Sequence, residues 1–174
     1  KQMNEYKIKL GQITNGENSF TFEIRDTFFD AFPLSEVKYA RLVAIALINK
    51  EAKDLTLTLS IEGKINNLLC DICAEEMSIN VKSATTVFIK KTDNIQTSTD
   101  EILFVKNNEN AINIKQLLFE LIILSLPEKR EHPLNNNGES ICNKEMLDLI
   151  KKYTKKEKNL SDPRWEGLKN LKLK

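Results

Sequence analysis

Hydrophobic and polar residues alternate along two neighbouring stretches in the middle of the chain. In the first stretch, the positions that share one face are Leu57, Leu59, Ile61, Gly63 and Ile65. In the second, they are Met77, Ile79, Val81, Val87 and Ile89. Side chains of a strand point alternately to opposite faces, so this pattern indicates strands that each bury one face. We predict strands over Leu55–Ile65 and Glu76–Lys90, joined by a turn.

The segment Val37–Ile48 precedes these strands and is apolar at positions of both parities. Its alanines and leucines would suit a helix, which stays open as an alternative. We favour a strand, because Val and Ile are frequent here and the segment lies directly before a strong strand pattern. The three strands would then form an antiparallel meander, with one face on a core and the other in water.

Two shorter patterns precede the meander. Tyr6–Leu10 and Phe20–Ile24 alternate on either side of an Asn-Gly pair, which predicts a hairpin. Asp26 is expected to cap a short helical turn that ends at Pro33.

After a short strand expected at Ile102–Val105, the hydrophobic period changes to three and four residues. The residues with this spacing are Ile114, Leu117, Leu118, Leu121 and Ile122. The spacing predicts one long amphipathic helix that packs on the core face of the sheet. Asn113 is expected to cap this helix and Pro127 to end it.

The remainder of the chain is predicted to be a loop followed by helices. Glu128–Ile141 is polar, Asn143 is expected to cap a second helix, and Asp162-Pro163 would begin a third. The predicted fold is α+β, an antiparallel β-sheet meander with one long packed amphipathic helix and a helical basic C-terminal tail. We expect residues 1–142 to form a single α+β domain. Residues 143–174 would be a helical basic extension packed on or near it.

Composition places the chain among globular proteins. Of its 174 residues, 41% are hydrophobic and 29% are charged, which fits a folded domain rather than a disordered segment. No apolar run approaches the roughly 20 residues that span a bilayer. The first residues lead into a strand pattern without a signal-peptide apolar region, and the three cysteines are an odd number. We therefore expect a cytoplasmic protein in a reducing compartment.

Basic residues are concentrated at the C-terminal end. Lys144–Lys174 holds ten Lys and Arg against five Asp and Glu, a net charge of +5; the whole chain carries +1, so the rest carries −4. Such a segment can contact nucleic-acid phosphates, although a solvated Lys-rich helix is the more frequent explanation on sequence alone. The candidate nucleic-acid-binding residues are Lys151, Lys152, Lys155, Lys156, Lys158, Arg164 and Lys169.

Three apolar residues share one side of the predicted third helix. They are Trp165, Leu168 and Leu171. Trp165 could stack on a base, but its place on an apolar side favours docking onto the sheet or onto a partner protein. These residues are therefore candidates for partner binding.

Cys70 and Cys73 lie at the turn between the two central strands, and their spacing allows three interpretations. The first is a structural zinc site, with Cys142 and His132 completing the four ligands that zinc prefers. The nine residues between His132 and Cys142 exceed the usual ligand spacing, so the loop would have to fold back. The second is a redox pair. The third is that both cysteines are small, partly buried residues of a turn.

The redox interpretation is the weakest of the three. A reactive Cys-x-x-Cys normally lies at a helix N-terminus, whereas strands are predicted on both sides of this one. Asp71, Glu75 and Glu76 are also expected to raise the thiol pKa. We favour the turn interpretation over zinc by a small margin. The chain has five glycines, no Gly-rich phosphate loop and a single histidine, so we do not expect an enzyme.

The order of several motifs resembles the YceD family of bacterial proteins, the large ribosomal RNA subunit accumulation proteins. The motifs are Leu59-Ser60-Ile61-Glu62-Gly63, Leu69-Cys70-Asp71-Ile72-Cys73, Leu124-Ser125-Leu126-Pro127, Cys142, and Asp162-Pro163-Arg164-Trp165 with Leu168 and Leu171. The resemblance spans about residues 37–173. This chain departs from the family pattern in two respects: its Cys-x-x-Cys turn is acidic where a basic residue is common, and Cys142 stands without a second cysteine beside it.

The resemblance implies a non-enzymatic role in ribosomal RNA accumulation and large-subunit biogenesis. The expected partner is ribosomal RNA or a ribosome-assembly protein. An adaptor that binds protein without direct RNA contact, or a structural zinc-knuckle protein, are the alternatives.

Overall fold

The computed structural model describes residues 6–52, 54–93, 99 and 101–154. Within these ranges, seven strands and two α-helices follow one another. The strands are β1 (Lys7–Lys9), β2 (Gly16–Ile24), β3 (Tyr39–Glu51), β4 (Asp54–Leu69), β5 (Glu76–Thr92), β6 (Ile102–Lys106) and β7 (Ala111–Asn113). The helices are α1 (Lys115–Leu124) and α2 (Lys144–Tyr153), and short 3-10 turns lie at Leu10–Gln12 and Asp26–Ala31.

The central meander is present as predicted. β3, β4 and β5 are antiparallel neighbours, with Ala44 opposite Ile61 and Ile61 opposite Ser83. The segment expected at Val37–Ile48 is a strand, so the helical alternative is wrong. Alternation decides the outcome: alternate residues of β3 from Ala40 to Ile48 are buried, and the side chains between them face the other side of the sheet.

α1 packs on the core face of this sheet against β4 and β5. Its buried side chains are Leu118, Leu121 and Ile122. The helix has only ten residues, so the long helix predicted from the hydrophobic spacing is not observed at that length. Asn113 Oδ1 accepts a hydrogen bond from the Lys115 N–H at 3.0 Å, yet the N-cap position itself is Ile114.

The predicted hairpin between the first two strands is wrong. β1 pairs instead with β7, with Ile8 opposite Ile112, while β2 pairs along its whole length with β3. The 3-10 turn at Leu10–Gln12 separates the two segments, and the Leu10 N–H donates to the carbonyl of Asn110 at 2.9 Å. Both segments are strands, but neither is the other's partner.

The expected cap at Asp26 is also wrong, although the short helical turn is present. No side chain caps that turn at its N-terminal position, Arg25. The Asp26 carboxylate accepts a hydrogen bond from the Ala40 N–H at 3.0 Å instead, so it ties the turn to the first residues of β3.

β6 extends the sheet on the far side of β5. The expected strand is confirmed, and it runs parallel to β5 from the pair Phe88–Ile102 to the pair Thr92–Lys106. The five-stranded sheet, in the order β2-β3-β4-β5-β6, is therefore mixed rather than purely antiparallel. The α+β class holds.

Most of the predicted helical basic tail lies outside the described residues. These end at Thr154, so they include α2 but not the predicted third helix, and the division into 1–142 and 143–174 stays a prediction. Within the described ranges, no helix is long and apolar enough to cross a membrane.

Candidate metal centre

A bulge in β4 directs Cys70 toward the core. Up to Ile65, the odd-numbered residues of β4 are the buried ones, but the register against β5 shifts between Ile65 and Leu68. Asn67 takes a positive φ of 55° there, and afterwards Leu68 and Cys70 are buried whereas Leu69 is exposed. An extra residue in one strand of a pair re-aims the side chains that follow it. The bulge thus turns the first cysteine inward.

The turn itself is closed by backbone hydrogen bonds. The Cys70 N–H donates to the Glu75 carbonyl, and the Ala74 N–H donates to the Cys70 carbonyl, each at 2.9 Å. Ala74 has a φ of 57°, which lets the chain reverse within a few residues. Cys70 and Cys73 are both buried free thiols on the same turn.

The loop after α1 brings the other two candidate ligands to this turn. Between His132 and Cys142 the chain forms a small hairpin, in which the Asn135 N–H donates to the Glu139 carbonyl at 2.8 Å. Leu134 and Ser140 form a β-bridge just outside that turn. This hairpin takes up the residues that separate the two ligands in sequence, so the fold-back that a zinc site requires is present.

The four side chains meet in one cluster. The Sγ atoms of Cys70 and Cys142 lie 3.7 Å apart. The Nδ1 atom of His132 lies 3.4 Å from the Sγ of Cys73 and 3.6 Å from the Sγ of Cys142. All four donor atoms lie within 4.8 Å of one another. The cluster can hold a metal ion.

These separations fit a tetrahedral zinc ion. With Zn–S near 2.3 Å and Zn–N near 2.05 Å, tetrahedral geometry places two sulfurs about 3.8 Å apart and a sulfur and a nitrogen about 3.6 Å apart. The observed 3.7, 3.4 and 3.6 Å agree with these values. Three thiols and one imidazole also form a donor set that structural zinc sites use.

The environment of Cys70 favours its thiolate, which is the form that binds metals. Burial alone would raise the pKa of the Cys70 thiol, but backbone N–H groups of Cys73, Ile72 and His132, with the Cys73 thiol, lower that pKa to about 6. For Cys142, the Ser140 hydroxyl lowers the pKa, but burial and the adjacent Cys70 outweigh it, so the pKa is raised.

The predicted rise in thiol pKa is not observed for Cys70, because the hydrogen-bond donors around its sulfur outweigh burial and lower its pKa. The three acidic side chains of the turn make other contacts. Asp71 pairs with Arg130, Glu75 accepts from the Asn143 amide at 2.8 Å, and Glu76 accepts from the Asn67 amide at 3.2 Å.

The cluster contains donors that a metal site needs and that the other two interpretations do not require. A redox pair needs only Cys70 and Cys73, and a simple turn needs neither a third thiol nor an imidazole. Neither explains why His132 directs Nδ1 at the sulfur of Cys142 in its own loop and at that of Cys73, 59 positions away in sequence. The sequence identified the four residues, and the structure brings them together.

α2 begins directly after the last of these residues. Asn143 caps it as predicted, since its Oδ1 accepts from the N–H groups of Glu145 and Met146 at 2.9 and 3.4 Å. The same side chain donates to Glu75 of the cysteine turn. The start of α2 is therefore attached to the cluster.

Two of the candidate nucleic-acid-binding residues lie on α2. Lys151 and Lys152 are exposed in its last turn. The other candidates, and the three proposed for partner binding, lie outside the described residues: Lys155, Lys156, Lys158, Arg164, Lys169, Trp165, Leu168 and Leu171.

Sequence reasoning missed one residue beside the cluster. Arg130 contacts both Asp71 and Glu36, at 3.4 and 2.7 Å. The sequence feature that points to such a residue is Asp71, the acidic residue between the two cysteines. A carboxylate in a turn next to the core is stabilised by a cation or an N–H donor, so a partner is expected. The sequence did not show where that partner would be.

Comparison with known proteins finds a family that the chain matches. A family model described as "Large ribosomal RNA subunit accumulation protein YceD" matches residues 57–172. The matched region contains all four residues of the cluster as well as α1 and α2. No curated protein and no solved structure matches the chain.

Proposed function

The chain belongs to the YceD family of large ribosomal RNA subunit accumulation proteins, and on that basis we propose that it assists ribosomal RNA accumulation without catalysing a reaction. The family match over residues 57–172 is the observation that carries this proposal. The expected partner is ribosomal RNA or a ribosome-assembly protein, and the expected compartment is the cytoplasm.

We propose further that Cys70, Cys73, His132 and Cys142 hold a structural Zn²⁺. Four protein donors fill a tetrahedral coordination sphere and leave no open position for water, which a catalytic zinc site would keep. The ion would join the tip of the β4–β5 hairpin to the loop that leads into α2. Its role is then mechanical, because it fixes where α2 starts.

The proposed RNA contact includes the exposed cations at the end of α2. Lys151 and Lys152 are exposed there, and five more Lys and Arg candidates follow them in sequence. Cations on a helix attached to a rigid centre can follow a phosphate backbone with sequence-independent affinity. The metal centre would hold the first of these cations in place relative to the sheet.

Salt-dependent binding to a structured ribosomal RNA fragment tests the proposal. Affinity should fall steeply with salt, and the double variant Lys151→Gln, Lys152→Gln should reduce the slope of log K against log salt by roughly 1 to 2. The matched control is Lys90→Gln, Lys91→Gln, another adjacent pair on β5, which should leave the slope unchanged. Absence of salt-sensitive binding to any such RNA would remove the RNA proposal.

An adaptor role is the second candidate function. It is favoured by the apolar side chains that α2 leaves exposed, namely Leu149 (45%), Ile150 (42%) and Tyr153 (71%). Large exposed apolar side chains suit protein contact better than phosphate contact. Crosslinking followed by identification of the captured species separates the two, since the adaptor would retain a protein partner after nuclease treatment.

A further inference from the structure

We propose that Arg130, with Asp71 and Glu36, preorganises the metal centre before any metal binds. It does so by holding the loop of residues 128–141, called the His132 loop, against the turn of residues 70–75, called the cysteine turn. The inference rests on the proposed metal site for its consequence. The three residues, called the Arg130 clamp below, are positioning residues: none offers a donor atom to the cluster.

Asp71 and Arg130 contact each other through both backbone and side chains. The Asp71 N–H donates to the Arg130 carbonyl at 2.8 Å, and the Arg130 N–H donates to Asp71 Oδ2 at 2.7 Å. The Arg130 Nη2 lies 3.4 Å from Asp71 Oδ1. These contacts join residues that are 59 positions apart in sequence.

The third member ties the pair to the body of the fold. The Arg130 Nη1 donates to Glu36 Oε2 at 2.7 Å, across 94 positions of sequence. Glu36 precedes Val37, a fully buried core residue just before β3. The guanidinium therefore bridges the cysteine turn, the His132 loop and the segment that enters the sheet.

The clamp lies beside the ligands on both chain segments. Asp71 follows Cys70 directly, and Arg130 precedes His132 by two residues. Fixing Asp71 against Arg130 therefore fixes how far the His132 ring stands from the two thiols of the turn. The 3.4 Å between His132 Nδ1 and Cys73 Sγ is the separation that this contact helps to set.

The Arg130–Asp71 pair of the clamp is more sheltered than an ordinary surface ion pair, whereas Glu36 is 51% exposed. The Arg130 side chain is 23% exposed and that of Asp71 is 37%, whereas Arg25 and Glu23, a surface pair, are both 68% exposed. One hydrogen bond between the two backbones and one from the Arg130 N–H to the Asp71 carboxylate add to the ion pair. Partly sheltered charges held in this way are screened less by salt than fully exposed pairs. The Arg25–Glu23 pair is accordingly the matched control.

Preorganisation has a measurable consequence for metal affinity. Outer contacts that orient metal ligands typically contribute about 10–100-fold to affinity. Without the clamp, the metal would have to order the His132 loop itself, and part of its binding free energy would be used for that. The number of ions bound at saturation would not change.

Cobalt titration of the chelated full chain tests this, because Co²⁺ reports both affinity and coordination through its ligand-field absorption. We expect Arg130→Gln and Asp71→Ala to bind Co²⁺ roughly 10-fold more weakly with one ion still bound. Arg130→Lys should lose less affinity than Arg130→Gln, because lysine keeps the positive charge but lacks the paired N–H donors of the guanidinium. Arg25→Gln should match the wild type. Variant affinities within twofold of the wild type would overturn the inference.

Hydrogen exchange on the metal-free protein provides a second measurement that needs no metal. The amides of Asp71 and Arg130 should be protected in the wild type and exchange faster in Glu36→Gln, a milder change that leaves the turn itself intact. If the chelated wild type shows no protection at these amides, the clamp does not exist before metal binds. If the wild type takes up no Co²⁺ or Zn²⁺ but keeps the protection, the proposed metal role fails and the clamp stands.

Discussion

Gly63 of β4 lies so close to β3 that a Cβ at this position would stand 2.3 Å from the carbonyl oxygen of Arg41. The obstructing atom belongs to the backbone of a central strand, so it cannot move aside without breaking the sheet register. Gly63 also has a φ of 150°, a region that L side chains rarely adopt. The glycine of the family motif is thus required by the packing of two strands.

Gly63→Ala should destabilise the protein by about 3 kcal/mol, from the steric overlap together with the strained backbone. Denaturant unfolding of the two proteins measures this. Gly11→Ala is the control, because nothing lies within 4 Å of a Cβ there, and its cost should be below about 1 kcal/mol. Equal midpoints for Gly63→Ala and the wild type would contradict the close approach.

Removal of a ligand should abolish stable zinc binding. Protein purified without chelator is expected to contain about one zinc per chain, and Cys142→Ser or His132→Gln should reduce this toward zero because three donors hold zinc far less tightly than four. Elemental analysis measures the stoichiometry. Glu131→Gln, a neighbour of His132 outside the cluster, should retain the metal. A wild-type value near zero would end the zinc proposal.

The metal-free protein should contain one thiol that ionises well below its ordinary pKa of 9.0. The pKa of Cys70 is about 6, so thiolate absorbance in the ultraviolet should appear as the pH rises through that value. Because the folded-state pKa is depressed, the stabilisation from this thiolate is complete above about pH 9 and is lost as the pH falls to about 6. Cys70→Ser should remove this step in the titration, and a titration without it in the wild type would be the contrary result.

The contact between α1 and the segment before β3 should contribute to stability. The rings of Phe32 and Phe119 are stacked, with centroids 3.8 Å apart and planes 6° from parallel. Phe119→Ala should cost about 2–3 kcal/mol, somewhat less than a fully buried phenylalanine, because its side chain is only partly buried. Leu124→Ala on the same helix is the control, since Leu124 is 81% exposed. Thermal unfolding that ranks the two variants equally would contradict this assignment.

Long strands with regular alternation could be predicted from sequence, whereas the partners of short strands could not. β3, β4 and β5 each carry enough alternating positions to define both their type and their buried face. β1 and β7 have three residues each, and they pair across about a hundred residues of chain. Three residues contain too few alternating positions to identify a partner strand, so the sequence predicts the local hairpin, which is wrong.

At the candidate site too, local features could be predicted from the sequence and contacts between distant segments could not. Spacing alone identified Cys70 and Cys73, because two thiols on a turn are a local signal. Whether His132 and Cys142 would join them depended on a small hairpin closed by hydrogen bonds of Asn135, which leaves no trace in the hydrophobic pattern. Arg130 was missed for a related reason, since ion pairs between distant segments follow from the fold and not from neighbouring residues.

Cys70 and Cys142 are 72 positions apart in the chain, and between them lie β5, β6, β7 and α1. A metal ion that holds both sulfurs closes this part of the chain into a ring. As long as the ion stays bound, the unfolded ring has far fewer conformations than an open chain; the loop-closure relation gives about 4 kcal/mol for a ring of this length. This stabilisation arises because the unfolded chain is restricted. It would therefore stabilise the folded state as a whole, including strands that do not contact the metal.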